Sequence, residues 1–182
     1  MENKQIDLWS VANDKYRYFT DIFKTMDEKQ RKRANKIGSK FYNYMIRLAY
    51  FFENLPFDIY VRENYTCCMS CGHNEIDQDA YEVYGEELKD FKGYIFYHSQ
   101  NFDDILTTFE NITKKYMKLY LCYGYFGKND NAKEIDKIYK YIANVLKKAC
   151  EQYGMSFVWN GDHKTKMCLV MEIDKIEDDI IN

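Results

Sequence analysis

The sequence has one proline and three histidines, and its 29 acidic residues outnumber 26 basic ones. The charge balance of -3 argues against bulk binding to phosphate backbones or anionic membranes and favours a soluble partner or a small ligand. No second Cys-x-x-Cys is present, so a complete four-cysteine zinc ribbon is excluded. The most apolar stretch, Met45 to Leu55, is interrupted by Arg47, Glu53 and Asn54 and is too short to span a bilayer. Met1-Glu2-Asn3-Lys4-Gln5 lacks the apolar core and small-residue cleavage site of a secretory leader. The expectation is a cytoplasmic protein of one domain with no membrane partner. In that reducing setting cysteines read as metal ligands, reactive thiols or small buried groups, not disulfides.

Against this background, Thr66-Cys67-Cys68-Met69-Ser70-Cys71-Gly72-His73 gathers three of six cysteines and one of three histidines. Cys68-x-x-Cys71-Gly72 has the shape of half a zinc knuckle: two thiolates grip one ion while glycine lets the backbone turn beneath the second. The expected zinc ligands are Cys68, Cys71, His73 and His98, with Cys67 or water as substitutes. Two other chemistries use the same residues. A Cys-x-x-Cys at a helix start exchanges disulfides, although Gly72-His73-Asn74 is a poor apolar helix start. A cysteine nucleophile with His98 or His163 as base, or a zinc hydrolase on the Cys67/Cys68/Cys71–His98 cluster, is the enzymatic reading. The bland reading packs the thiols into a tight loop as small apolar groups, with His98 satisfied by backbone and His163 solvated.

Two further motifs carry less. Gly124-Tyr125-Phe126-Gly127-Lys128 lacks the glycine spacing and following hydroxyl of a phosphate loop and reads as a turn. Lys29, Arg31, Lys32, Arg33, Lys36, Lys40 and Arg47 make the segment 29–47 basic. That suits a nucleic-acid surface, yet a solvated helix face is the better account in an acidic chain whose aromatics there follow the core stripe.

Hydrophobic spacing sets the organisation. Leu8, Val11, Tyr16, Phe19 and Phe23 suggest a first helix. Thr25-Met26-Asp27-Glu28 fits a capping box before a second helix with the stripe Ile37, Phe41, Met45, Leu48 and Phe52, with Gly38 as a kink. Leu55-Pro56 ends it. Strands are expected at 57–62, 93–98, 118–126, 155–159 and 166–173, helices at 102–112 and 131–153, and weak helical character at 76–91. Asn160-Gly161 is a turn dipeptide joining the last two strands. The chain thus divides into an N-terminal helical pair (1–55), an α/β core (56–174) and an acidic tail (175–182). Alternating strands and helices predict a mixed, mostly parallel sheet of about four to five strands, with flanking helices beside the helical pair. In such a sheet the cysteine segment, His98-Ser99-Gln100, Gly124-Tyr125 and Trp159-Asn160-Gly161 all leave carboxyl ends of strands, where ligands bind.

The chain also resembles an uncharacterised bacterial family, a domain of unknown function. Its pattern is matched by Arg62-Glu63-Asn64-Tyr65 followed by Cys67-Cys68-x-x-Cys71-Gly72 and Glu75-Ile76. Further matches are Phe96-Tyr97-His98-Ser99-Gln100, Leu119-Tyr120-Leu121-Cys122-Tyr123-Gly124 and Trp159-Asn160-Gly161. Family members often carry Asp where this chain has Asn160, which removes a carboxylate. The resemblance covers about residues 57–172. It supplies no activity, and it implies that the cysteine segment, His98 and the Trp159–Asn160 turn form one arrangement; Gln100 and Tyr123, in the matched motifs, are further site candidates. The leading expectation is a binding or regulatory module for a protein partner, its cysteine loop held by zinc.

Overall fold

A computed structural model describes residues 24–111, 114–127 and 131–173. The expected first helix around Leu8 to Phe23 and the acidic tail lie outside the described residues. The helix expected to run on from Glu28 is two helices, α1 (Glu28–Ile37) and α2 (Ser39–Glu53), broken at Gly38. Gly38 has φ 84° and ψ -150°, a conformation that side chains with a Cβ rarely adopt, so the chain breaks there instead of kinking. The cap of α1 is Asp27, two residues after the expected Thr25. Its carboxylate accepts from Gln30 N at 2.7 Å while Gln30 Oε1 accepts from Asp27 N at 3.1 Å.

The remaining order is β1 (Ile59–Arg62), α3 (Met69–Tyr84), a 3-10 turn at Gly85–Asp90, β2 (Gly93–Phe96), α4 (Ser99–Glu110), β3 (Tyr116–Gly124), α5 (Ala132–Gln152), β4 (Ser156–Val158) and β5 (Met167–Glu172). The five strands form one mixed sheet in the order β1-β2-β3-β5-β4. This is the expected α/β architecture, with one correction. Only β1 and β2 are parallel; β2–β3, β3–β5 and β5–β4 are antiparallel. The register explains the reversal. Phe96 pairs with Cys122, so Tyr116 to Leu121 extend beyond the end of β2 and pair with β5 instead. A helix the length of α4 spans roughly 18 Å, about the length of that overhang. The chain therefore runs past the end of β2 in α4 and returns antiparallel in β3.

Two apolar layers form on opposite faces of the sheet. Ile59, Ile95, Leu119, Leu121, Met167 and Leu169 face α2, α4 and α5, where Phe41, Met45, Phe51, Phe102 and Leu146 are fully buried. Tyr60, Tyr94, Phe96 and Cys122 face the other way, against Ile76 and Ala80 of α3. The amphipathic α5 is capped by Asn131, whose side chain accepts from Lys133 N at 3.1 Å, and it ends at Tyr153 before Gly154 with φ 66°.

The cysteine segment is more helical than its sequence suggests. α3 begins at Met69, so Cys71, Gly72 and His73 lie in its first turns. Tertiary contact overrides a weak local preference here. Gly72 lies on the Phe96 ring so closely that a Cβ would come within 2.4 Å of it. Farther along, Asp79 takes Arg62 with two contacts of 2.9 Å and accepts from Tyr60 Oη at 2.6 Å, tying α3 to β1. Gly72→Ala is expected to cost about 1–3 kcal/mol, measured by urea denaturation. Phe96→Leu, which trims the outer ring, should recover part of that loss in the double variant. Strict additivity of the two losses would refute the contact.

Candidate metal and thiol site

The site is built where β1 hands the chain to α3. Asn64 and Thr66 have φ 48° and 56°, so the backbone bends sharply between strand and helix. Asn64 holds its strained position by donating from Nδ2 to Thr25 O at 3.3 Å and Thr25 Oγ1 at 3.1 Å. Two backbone bonds latch the loop to the end of β2: Tyr65 N to Tyr97 O at 2.8 Å and Ser99 N to Thr66 O at 3.1 Å. These bonds deliver Cys67 and Cys68 to the start of α3, with Cys68 as its N-cap.

Sulfur atoms of Cys67, Cys68 and Cys71 all lie within 4.8 Å of one another. Cys67 Sγ reaches Cys71 Sγ at 3.4 Å. Cys67 is exposed and the other two are half-buried, whereas Cys122, Cys150 and Cys168 are buried. The last three behave as small core groups, and burial raises their thiols. Packing does not account for an exposed Cys67. The ionisation pattern differs as well. The Cys71 backbone N–H, followed by the Cys71 and Cys67 thiols and the Ser70 N–H, holds the Cys68 thiol below its ordinary value. Hydrogen bonds with Cys67 and Cys68 push Cys71 up to about 12. One negative charge at the helix start is favoured and a second beside it is resisted.

Among the described residues, neither histidine of the expected ligand set completes a group with all three sulfurs at that spacing. His73 Nδ1 meets Tyr94 Oη at 2.9 Å, and its ring packs edge-on to Phe96 with centroids 5.1 Å apart. His98 is buried, and its Nε2 lies 3.5 Å from Lys166 Nζ. Burial, and then the Lys166 ammonium, lowers both histidines, keeping them neutral. Gln100 is exposed in the first turn of α4.

The antiparallel strands overturn the expected gathering of four carboxyl ends. Only β1 and β2 deliver theirs to one edge. β3 and β4 run the opposite way, so Tyr123 and Trp159–Asn160 join a different cluster. Tyr123 packs edge-on to Tyr139 at 4.9 Å and to Trp159 at 6.0 Å, and its Oη donates to Thr165 O at 2.9 Å. Asn160 Oδ1 accepts from Asp162 N at 2.9 Å and Thr165 Oγ1 at 2.7 Å, which makes it a loop organiser. His163 pairs with Asp136 at 3.2 Å and lies parallel to the Trp159 ring. The basic segment is also partly committed: Arg33 binds Asp103 at 3.3 Å and Glu110 at 3.0 Å on α4, and Lys32 binds Glu28 at 2.7 Å.

Lys166 and Glu63 carry weight that the sequence reading did not give them. The signal for Glu63 was present: period-two alternation continues Ile59 and Val61 to position 63 on the buried face. Its Oε2 accepts from Tyr97 Oη at 3.2 Å, while Oε1 is buried with no hydrogen-bond partner among the described residues. Burial raises this carboxyl to about 8, against the opposing pull of the Tyr97 hydrogen bond.

The fold and site define an α/β protein with a mixed sheet and a three-cysteine cluster at a strand–helix junction. Residues 45–175 match the model of the family described as Domain of unknown function (DUF6891), and the chain belongs to that family. Searches of curated proteins and of solved structures give no significant match. Among the described residues no helix is long and apolar enough to cross a membrane.

Glu63 gives a signed pH dependence. Between the ordinary carboxyl range and about 8 the folded protein holds a proton that the unfolded chain has released. Its stabilising share is complete below that range and is lost as pH rises through the window. The thermal midpoint should fall from about pH 5 to about pH 8, and Glu63→Gln should flatten the fall. An unchanged slope in calorimetry would show that Glu63 is not the titrating group.

Proposed function

We propose that the protein is a protein-binding or regulatory module whose loop between β1 and α3 is closed by a zinc ion held on Cys67, Cys68 and Cys71. The observation that carries this reading is the gathering of three sulfurs within 4.8 Å, with the outermost exposed. Zinc–thiolate bonds of about 2.3 Å place sulfurs roughly 3.8 Å apart around a tetrahedral ion, so modest side-chain adjustment suits the donor set. A bound cation would also relieve the repulsion that resists a second and third thiolate. Water fills the fourth position in this reading, and His73 and His98 keep their partners Tyr94 and Lys166. A cytoplasmic setting belongs to the same proposal, since it keeps the thiols reduced.

A binding role is favoured over hydrolysis by the engagement of the histidines. A general base must reach its nucleophile directly or through one water, yet among the described residues neither histidine joins the three sulfurs at their spacing, and one nitrogen of each is turned to Tyr94 or Lys166. Thiol exchange has one supporting observation, the lowered Cys68 thiol at a helix start. Metal analysis separates the two. Protein purified without a tag under reducing conditions is expected to hold one zinc per chain. Cys67→Ser, Cys68→Ser and Cys71→Ser should each weaken binding by at least about tenfold, while His73→Ala and His98→Ala retain it. Affinity should rise with pH, because Cys71 must lose its proton to bind. Metal-free protein with a reversible disulfide among these cysteines would replace the zinc reading with thiol exchange.

A further inference from the structure

β1 is a terminal strand: β2 pairs with one side of it, and no described strand pairs with the other. Arg62 O accepts from Tyr97 N at 3.3 Å, so Arg62 turns its backbone groups towards β2. Alternate residues of a strand turn theirs to opposite sides, and the N–H and C=O of Val61 therefore point outward. Among the described residues neither has a hydrogen-bond partner. Ile59 keeps only its C=O for that side, because its N–H donates to Pro56 O at 3.1 Å.

A groove of about 380 Å³ follows this edge. One wall comes from the end of α2 with Phe52 and Leu55, the other from Tyr84 at the end of α3 and Phe91 beyond it, and β1 lies between them. Phe57 at the groove is 86 % exposed, which water alone does not favour. Glu53, Glu87 and Asp90 line the rim, and none has an ion pair among the described residues. Lys89 stands between Glu87 and Asp90 in the chain, and Lys92 is committed to Asp58 at 2.8 Å.

We propose that this edge takes up an extended peptide segment of a partner protein, with apolar residues at alternate positions and lysine or arginine at its flanks. The segment adds a strand beside β1 and bonds the free Val61 groups and the Ile59 carbonyl. Alternate side chains meet the Phe52–Leu55 and Tyr84–Phe91 walls, and the basic flanks meet the three carboxylates. A second copy is the poorer occupant, because symmetric pairing would bring these carboxylates against their own copies. The inference rests on the binding-module reading and is independent of metal content.

The test is selection from a displayed random octapeptide library on the immobilised full chain, followed by fluorescence anisotropy with the enriched peptide. Peptides with alternating apolar residues and basic flanks should be enriched. Val61→Pro removes the outward N–H without touching the ladder to β2 and should weaken binding about tenfold. The double variant Glu87→Lys, Asp90→Lys should also weaken it and abolish its salt dependence, with circular dichroism confirming that both variants fold. Peptide binding unaffected by both variants would overturn the edge as the site while leaving a binding module. No enriched peptide at all would remove both readings. A dimer in sedimentation that Val61→Pro dissociates would make a second copy the occupant and overturn the partner peptide.

Discussion

The contact on which the site depends is the Phe96 ring lying against Gly72. A helix normally stands about 10 Å off a sheet because side chains intervene. Here one position has no side chain, and α3 settles onto β2 at that point. Asp79 fixes the far half of the helix by gripping Arg62 and Tyr60 on β1. With both halves set, the first turn of α3 has one place to begin. The latched loop then brings Cys67 and Cys68 to Cys71, one helical turn away.

The same contacts explain much of the motif pattern. Glu63 meets Tyr97 side chain to side chain, and Tyr65 meets it through the backbone. Gly72 meets Phe96, His73 meets Tyr94, and Gly124 passes under the Tyr94 ring, where a Cβ would come within 2.3 Å. Segments distant in the sequence are thus neighbours at one half of the sheet. These residues have structural work. The three clustered sulfurs do not: two are half-buried and one is exposed, and none fills a core position. Their sulfurs lie close enough together that they could hold one metal ion.

Much of the core was legible because burial leaves a periodic signature. The stripes Phe41, Met45, Leu48 and Phe52 on α2, and Ile142 and Leu146 on α5, are buried as their spacing implies. The turn after β4 was recognisable from Asn160-Gly161, although the loop 159–166 is longer than a two-residue hairpin because Asn160 and Thr165 brace it. The helix of the cysteine segment was hidden by Gly72 and by the absence of an apolar start. Its stability comes from β2 and Asp79, outside the segment itself. Glu63 was hidden differently: its chemistry suggests a surface residue, and only its place in the alternation that runs on from β1 marks its carboxyl as buried.

The residues of this chain by themselves determined most of its elements, its α/β class and the concentration of thiols in one segment, because local spacing and turn chemistry act over a few neighbouring positions. They did not determine strand direction. That depended on α4 running past the end of β2, a matter of how helix and sheet lengths match in three dimensions. The direction of β3 in turn decided that Tyr123 and Trp159 belong to one cluster and the cysteines to another. Whether Cys67 or a histidine joins Cys68 and Cys71 was equally a tertiary outcome. Tyr94 and Lys166, each remote in sequence, face His73 and His98, while the loop latched to β2 carries Cys67 to the other two sulfurs.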